Sequence, residues 1–186
     1  MIEALDERLE RGQSLDEITI ESLSDRAGVA AGSFYEYFVS KDNVFGVLIG
    51  WITHRNFVEL ASKLERTTHA TLDEHVDDFA EAVVSTYFAR PARMRALVLG
   101  VGKLGLLDIV TAERDRFAEL LARTVKRYLP NSEDAELRRT FCLVADAAMG
   151  ILSAECLRAQ PVPTEQLVEE ISSVSKSIIT ARHAMA

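Results

Sequence analysis

The sequence predicts an all-α protein in which a small N-terminal three-helix unit precedes a larger helical domain. Three observations carry that expectation. The chain is rich in Ala, Leu, Val and Glu, with 4 prolines in 186 residues and few strand-like alternations. Residues 19–41, TIESLSDRAGVAAGSFYEYFVSK, read as two short helices about a tight glycine turn, with a longer helix following at once. Beyond them, apolar residues recur at helical spacing, punctuated by Pro, Gly and Ser. A chain of this length can bury a sizeable core, either as one domain or as a small domain fused to a larger one. The boundary is placed at 47/48, giving domains 1–47 and 48–186.

The first helix is expected from Ile2 to Arg11, with Ile2, Leu5 and Leu9 inward, and stops near Gly12. Gln13 to Ile18 is a linker. Thr19 can N-cap the second helix, because its hydroxyl can accept from a free N–H of the opening turn, where Glu21 also complements the helix dipole. Ile20, Leu23 and Ala27 face inward, and Gly28 supplies the left-handed conformation that ends the helix. Val29 and Phe34 flank the next N-terminus at staple spacing, and Phe34 pairs with Phe38 at i, i+4. That leaves Ala30, Ala31, Gly32, Ser33, Tyr35 and Tyr37 on the outer face of a slim helix, the layout that sets a recognition helix in the major groove.

Ser40 can cap a long fourth helix from Lys41 to Glu65, with Asp42 in its first turn. After a loop from Arg66 to Thr71, a helix from Leu72 to Ala89 aligns Leu72, Val76, Phe79, Val83 and Tyr87 on one face. Pro91 marks its end. Arg93 to Val101 reads as a short helix, and Gly100, Gly102 and Gly105 as a bend or hinge. Leu106 to Leu129 is helical, with Phe117, Leu121, Val125 and Tyr128 on one side. Ser132 can cap the next helix, which runs to Arg158, and Thr164 opens the last, to Arg182. In that last helix Leu167, Ile171, Val174 and Ile178 form a narrow heptad-like seam.

At residues 19–41 the chain resembles the tetracycline-repressor (TetR) family of bacterial transcriptional regulators. The matching residues are Thr19, Ile20, Leu23, Ser24, Ala27, Gly28, Val29, Ala30, Gly32, Ser33, Phe34, Tyr35, Tyr37, Phe38, Ser40 and Lys41. The resemblance implies a helix-turn-helix DNA-binding domain followed by a helical ligand-binding and dimerisation domain, hence a ligand-responsive repressor acting as a homodimer on a palindromic, double-stranded DNA operator. It implies that Thr19, Tyr35, Tyr37 and Lys41 hold phosphates, contacts that position the protein without reading sequence. Ala30, Ala31 and Gly32 would let the backbone approach the groove, with Ser33 donating to a base edge or phosphate. Relatives often carry Ser and a basic residue where this chain has Ala30 and Ala31, so a side-chain N-cap and a guanine reader are missing there.

By the same resemblance the last two helices pair with those of a second subunit. Phe141, Ala148, Ile151 and Leu152 on one, with Leu167, Ile171, Val174 and Ile178 on the other, are the expected dimer interface. The larger domain is expected to enclose an effector pocket, with Phe57, Phe79, Val83, Tyr87 and Phe88 as candidate walls. Met94, Leu97, Phe117, Cys142 and Met149 complete the set. Few charges fall among these residues, which implies a small, mostly apolar molecule.

The charge balance opposes the resemblance. The chain is formally −8, and its first fifty residues set Arg8, Arg11, Arg26 and Lys41 against ten carboxylates from Glu3 to Asp42, a balance of −6. DNA affinity rests largely on Lys and Arg at phosphates. Either a basic arm precedes this sequence, or the protein is a TetR-like binding or interaction module with weak or lost DNA binding. Enzyme readings fail on inventory. His54, His69, His75 and His183 show no metal-ligand spacing, and Gly100, Gly102 and Gly105 form a bare G-x-G-x-x-G with no strand before it. Neither a metal nor a cofactor is expected. Cys142 and Cys156, fourteen residues apart on one helix, stand roughly 21 Å apart, too far for a disulfide. Two cysteines and no N-terminal signal region suggest a reducing cytoplasm. The longest apolar stretch, Ala96 to Val110, is broken by Lys103 and Asp108 and is too short for a membrane.

Overall fold

In a computed structural model that describes residues 1–183, the chain forms helices only. They are α1 (Ile2–Glu10), α2 (Ile20–Ala27), α3 (Ala31–Tyr37), α4 (Lys41–Arg66), α5 (Leu72–Tyr87), α6 (Pro91–Leu104), α7 (Leu107–Val125), α8 (Asp134–Cys156) and α9 (Thr164–His183). None among the described residues is long and apolar enough to cross a membrane. The helices sort into two compact units, one of residues 1–54 with 90–110, the other of residues 55–89 with 111–186.

The first unit includes a segment that the sequence assigned to the second domain. Its core joins Leu5 and Leu9 of α1, Leu23 of α2, Phe34 of α3 and Val44, Phe45, Leu48 and Ile49 of α4. Against it pack Ala96, Leu97, Val101 and Leu104 of α6. Pro91 does not merely end the preceding helix but opens this one, at a position where its missing N–H is harmless. The expected glycine hinge is absent: α6 runs unbroken through Gly100 and Gly102, and only Gly105, at φ 66°, ends it. Gly100 has a packing role instead. The Phe45 ring lies directly over it, and a β-carbon added there would overlap the ring.

Charge fixes α6 as firmly as packing does. Arg93, buried at 5% exposure, reaches Asp6 and Glu10 of α1 at 3.3 Å, and Arg90 meets Glu10 at 2.7 Å. At the far end of α6, Lys103 pairs with Asp16 in the linker and holds that carboxyl below its usual range through the hydrogen bond. Residues 90–110 carry four cations and one carboxylate, so they bring the unit's balance from −6 to −3.

In the second unit α9 packs on α5 and α8. Phe79 and Val83 of α5, Leu121 and Val125 of α7, Phe141 and Leu152 of α8, and Leu167 and Ile171 of α9 are buried. Thr71 and Glu74 form a capping box at α5. Ser132 does not cap α8, whose N-cap is Glu133 with no side-chain bond. Its hydroxyl lies 3.0 Å from Nδ1 of His183, whose Nε2 lies 3.1 Å from Thr140 Oγ1, so the end of α9 is pinned to the start of α8.

Three expectations follow for the first unit. Arg93→Ala leaves Asp6 buried without its cation and lowers stability by about 3 kcal/mol in denaturant unfolding; joint replacement of Arg93 and Asp6 by Met and Leu recovers part of that loss. Gly100→Ala costs about 1–3 kcal/mol by overpacking against Phe45. Gly102→Ala, with open space around it, is neutral or gains up to about 1 kcal/mol.

Candidate nucleic-acid and effector sites

The reading head is set by local chemistry at three points. Thr19 Oγ1 accepts from Ser22 N at 3.2 Å while Ser22 Oγ accepts from Thr19 N at 3.2 Å, a reciprocal cap at the start of α2. Gly28, at φ 69° and ψ 29°, turns the chain as the sequence requires, with Val29 N bonded back to Ser24 O. Ser40 Oγ accepts from Asn43 N and caps α4. Between these points Phe34 is fully buried and lies against Phe38 and Tyr35, with ring centroids 5.6 and 5.3 Å apart. This anchor turns the opposite side of α3 outward. Ala30, Ala31 and Gly32 are exposed, Ser33 is half-buried, and Tyr35, Tyr37 and Val39 are exposed at 63%, 76% and 88%. Tyr37 stands in solvent.

Lys41, an expected phosphate contact, is also bonded within the head. Its ammonium donates to the carbonyls of Leu15 and Ile18 at 2.7 and 2.9 Å and so ties the linker before α2 to the start of α4. Arg8 likewise donates to Gln13 Oε1 and Ser22 O, and Arg26 pairs with Glu7 at 2.6 Å, which lowers that carboxyl. Three of the four cations in the first fifty residues therefore hold the head together. Arg11 is exposed.

The expected effector walls divide between the units. Met94 and Leu97 belong to α6 in the first unit. In the second, Phe79 and Phe117 meet with ring centroids 5.7 Å apart, joining α5 to α7. Val83 and Phe88 are buried, and Phe57, Tyr87, Cys142 and Met149 are partly exposed. The Cys142 thiol is pushed up by burial and by Asp115, so it is no ready nucleophile. The expected dimer set splits in the same way. Phe141, Ala148, Leu152, Leu167 and Ile171 are buried within this chain, whereas Val174 is exposed and Ile151 and Ile178 half-exposed. Leu143, exposed at 40%, was overlooked on the same outward face of α8.

Sequence reasoning also missed Arg93, Glu113 and His75. A hint at Arg93 was present, since cations at 90, 93, 95 and 103 follow an acidic head. His75, 1% exposed, has Nε2 3.1 Å from Thr124 Oγ1. That hydroxyl donates to Leu121 O, so it accepts from His75 Nε2–H and leaves Nδ1 as an acceptor with no donor. His69, paired with Asp78 at 3.0 Å, and Tyr128 lie against the His75 ring, and Arg127 stacks on Tyr128.

Comparison with known proteins decides what this head belongs to. Residues 8–48 match the family model for bacterial regulatory proteins of the tetR family, and residues 71–177 match the tetracyclin repressor-like C-terminal domain. The chain belongs to the TetR family. It is 27% identical over 147 residues to the HTH-type transcriptional regulator AlkX of Mycobacterium tuberculosis, a match over 76% of this chain and 62% of that relative's length. Two crystal structures share the fold. A tetR-family regulator from Streptomyces coelicolor superposes at a TM-score of 0.73, with 16% identity, over 100% of this chain and 81% of its own. The TetR family repressor AlkX from Dietzia sp., implicated in biodegradation of n-alkanes, superposes at 0.60 with 16% identity, over 95% and 92%. In this TetR chain the matched N-terminal segment holds α2 and α3, and the C-terminal match spans α5 to most of α9.

Burial pushes the His75 imidazole down to about 4, with positive charge on His69 and Arg127 acting in the same direction. The folded value lies below the ordinary 6.5, so the contribution is full above about pH 6.5 and lost as pH falls toward 4. Unfolding free energy should drop by up to about 3 kcal/mol across that window, and His75→Gln should flatten the profile.

Proposed function

We propose that this TetR-family chain is a DNA-binding transcriptional regulator, a homodimer whose first unit reads a palindromic operator through α3. The observation that carries the reading is the outward row of Ala30, Ala31, Gly32, Tyr35 and Tyr37 on a helix anchored by buried Phe34. Small groups admit the backbone to the major groove, and the exposed phenol hydroxyls beside them can donate to phosphates. With Arg8, Arg26 and Lys41 bound within the head, phosphate contacts fall to hydroxyls and backbone N–H groups. Lys41 then acts by positioning the start of α4.

The second unit takes a small, mostly apolar effector whose binding lowers operator affinity. The chain crosses between the units at 54/55, 89/90 and 110/111, so α6 is tethered at both ends to segments of the effector-binding unit. Dimerisation uses the outward face of α8 and α9, with Leu143, Ile151, Val174 and Ile178 at its centre. A second reading, an interaction module without DNA binding, draws on the unit's net charge of −3 and on exposed Glu36 in α3.

Gel-shift titration of DNA from around the protein's own gene, across a salt series, separates the two. The regulator shifts a discrete fragment, with a salt slope no steeper than about −4 because few cations are free. Tyr35→Phe weakens binding about fivefold on all fragments, while Lys41→Met lowers the stability of the head and leaves the salt slope unchanged. A protein that shifts no fragment at any salt concentration would be the interaction module.

A further inference from the structure

The second unit contains a carboxylate that its own fold leaves half-satisfied. Glu113 of α7 accepts from Arg116 at 2.7 Å through Oε1, while Oε2 is buried and has no hydrogen-bond partner. Its side chain is 16% exposed and that of Arg116 61%, so the cation sits at the surface and the free oxygen inside. A buried acceptor on a charged group is expensive to leave unpaired, so such an atom calls for a donor, from an ordered water or from a ligand.

The surroundings favour a ligand. Glu113 and Phe117 are four residues apart on α7 and share a face. On α5, Phe79, Val83 and Tyr87 share a face at the same spacing. The Phe79 and Phe117 rings meet, and Glu113 acts electrostatically on Tyr87 one end further along, so the two faces oppose each other in antiparallel order. Burial first, then the Glu113 charge, push the Tyr87 phenol up to about 12, so it stays protonated at all physiological pH. An aromatic seam, where the Phe79 and Phe117 rings meet, thus has a carboxylate oxygen and a neutral hydroxyl toward one end. Carboxylate oxygens only accept, and Arg116 already balances the charge.

We propose that Glu113 and Tyr87 form the polar end of the effector site, and that the effector is an apolar or aromatic molecule with one hydrogen-bond-donating head, an amine or alcohol. Glu113 Oε2 accepts from that head, Tyr87 lies beside it, and Phe79, Val83 and Phe117 cover the apolar body. A headgroup that can only accept, such as an ester or a carboxylate, is rejected because it would face the carboxylate oxygen. This proposal rests on the reading that the second unit binds an effector, and it names that effector's chemistry.

The test uses the full chain and a matched set of probes at pH 7.5: 3-phenylpropylamine, 3-phenyl-1-propanol, propylbenzene and 3-phenylpropanoate. Calorimetry reads binding and the gel shift reads operator affinity, each independently. The amine and alcohol should bind about tenfold or more tighter than propylbenzene, with no binding of the carboxylate. Glu113→Leu should remove that preference while keeping or raising the melting temperature, since it deletes the unpaired oxygen. Glu113→Gln, which can donate, should permit binding of 3-phenylpropanoate. Equal affinity for all four probes, no binding of any, or an unchanged preference in Glu113→Leu would overturn the proposal. Selective binding of the amine or alcohol with no change in the gel shift would uphold the site and count against effector control of DNA binding.

Discussion

The contact on which the first unit depends is α6 against α1 and α4. Its parts are the Arg93 guanidinium between Asp6 and Glu10, and the Phe45 ring over Gly100. Neither works without the other. A guanidinium buried on α6 is tolerable only with carboxylates supplied by α1, because an uncompensated buried charge costs several kcal/mol. The carboxylates can approach only because Gly100 lets α6 lie close to α4. Helices α1 to α3, three short elements that with their linkers carry a net charge of −6, have little core of their own. α6 adds both apolar surface and positive charge, so the head's stability is borrowed from a helix that lies fifty residues away in sequence.

This arrangement explains how an acidic chain can present a reading head at all. Most of the carboxylates that make the balance unfavourable lie on α1 and the linker, and several are engaged there by Arg26, Arg90, Arg93 and Lys103. Glu36 is the one carboxylate on α3 itself. The cations used in this way are no longer available to phosphates, and Lys41 is a clear instance. Its position in the sequence matches a phosphate-binding site, yet two backbone carbonyls saturate most of its donors. What the head offers the groove is shape and hydroxyls, which favours positioning over charge neutralisation.

What was legible in the sequence was whatever local chemistry decides. The Thr19 cap, the left-handed Gly28, the Ser40 cap and the inward Phe34 all depend on neighbours within four residues, and each stands where the spacing placed it. The misreadings all involve distant partners. Gly100 and Gly102 looked like a hinge because a glycine pair signals flexibility unless a ring lies against it. Ser132 stood in a good capping position, but His183, fifty-one residues on, took its hydroxyl. The seam of Leu167, Ile171, Val174 and Ile178 was read as one face, yet the first pair turns into the chain's own core and the second pair turns out. Helices apolar on two sides carry no internal mark of which side is which. Glu113 was invisible for the same reason: in sequence it is one of many acidic residues on an amphipathic helix, and only α5 makes it interior.

The second unit shows where the fold accepts incomplete polar satisfaction. Along the seam between α5 and α7 the rings of Phe79 and Phe117 occupy the middle, with His75 toward one end and Tyr87 and Glu113 toward the other. His75 Nδ1 and Glu113 Oε2 are both buried acceptors without donors, on facing helices of one unit. A core selected only for stability would replace them with apolar groups of similar volume, because that removes the desolvation cost without creating a cavity. The two differ in what could satisfy them. His75 is closed in by Thr124, His69 and Tyr128, and its ring stays neutral, so its cost is modest and fixed. Glu113 carries a full charge with one oxygen paired at the surface, so a donor arriving from an apolar molecule gains most there. That difference makes the Glu113 end of the seam, and not the His75 end, the place where a ligand can shift the unit's stability.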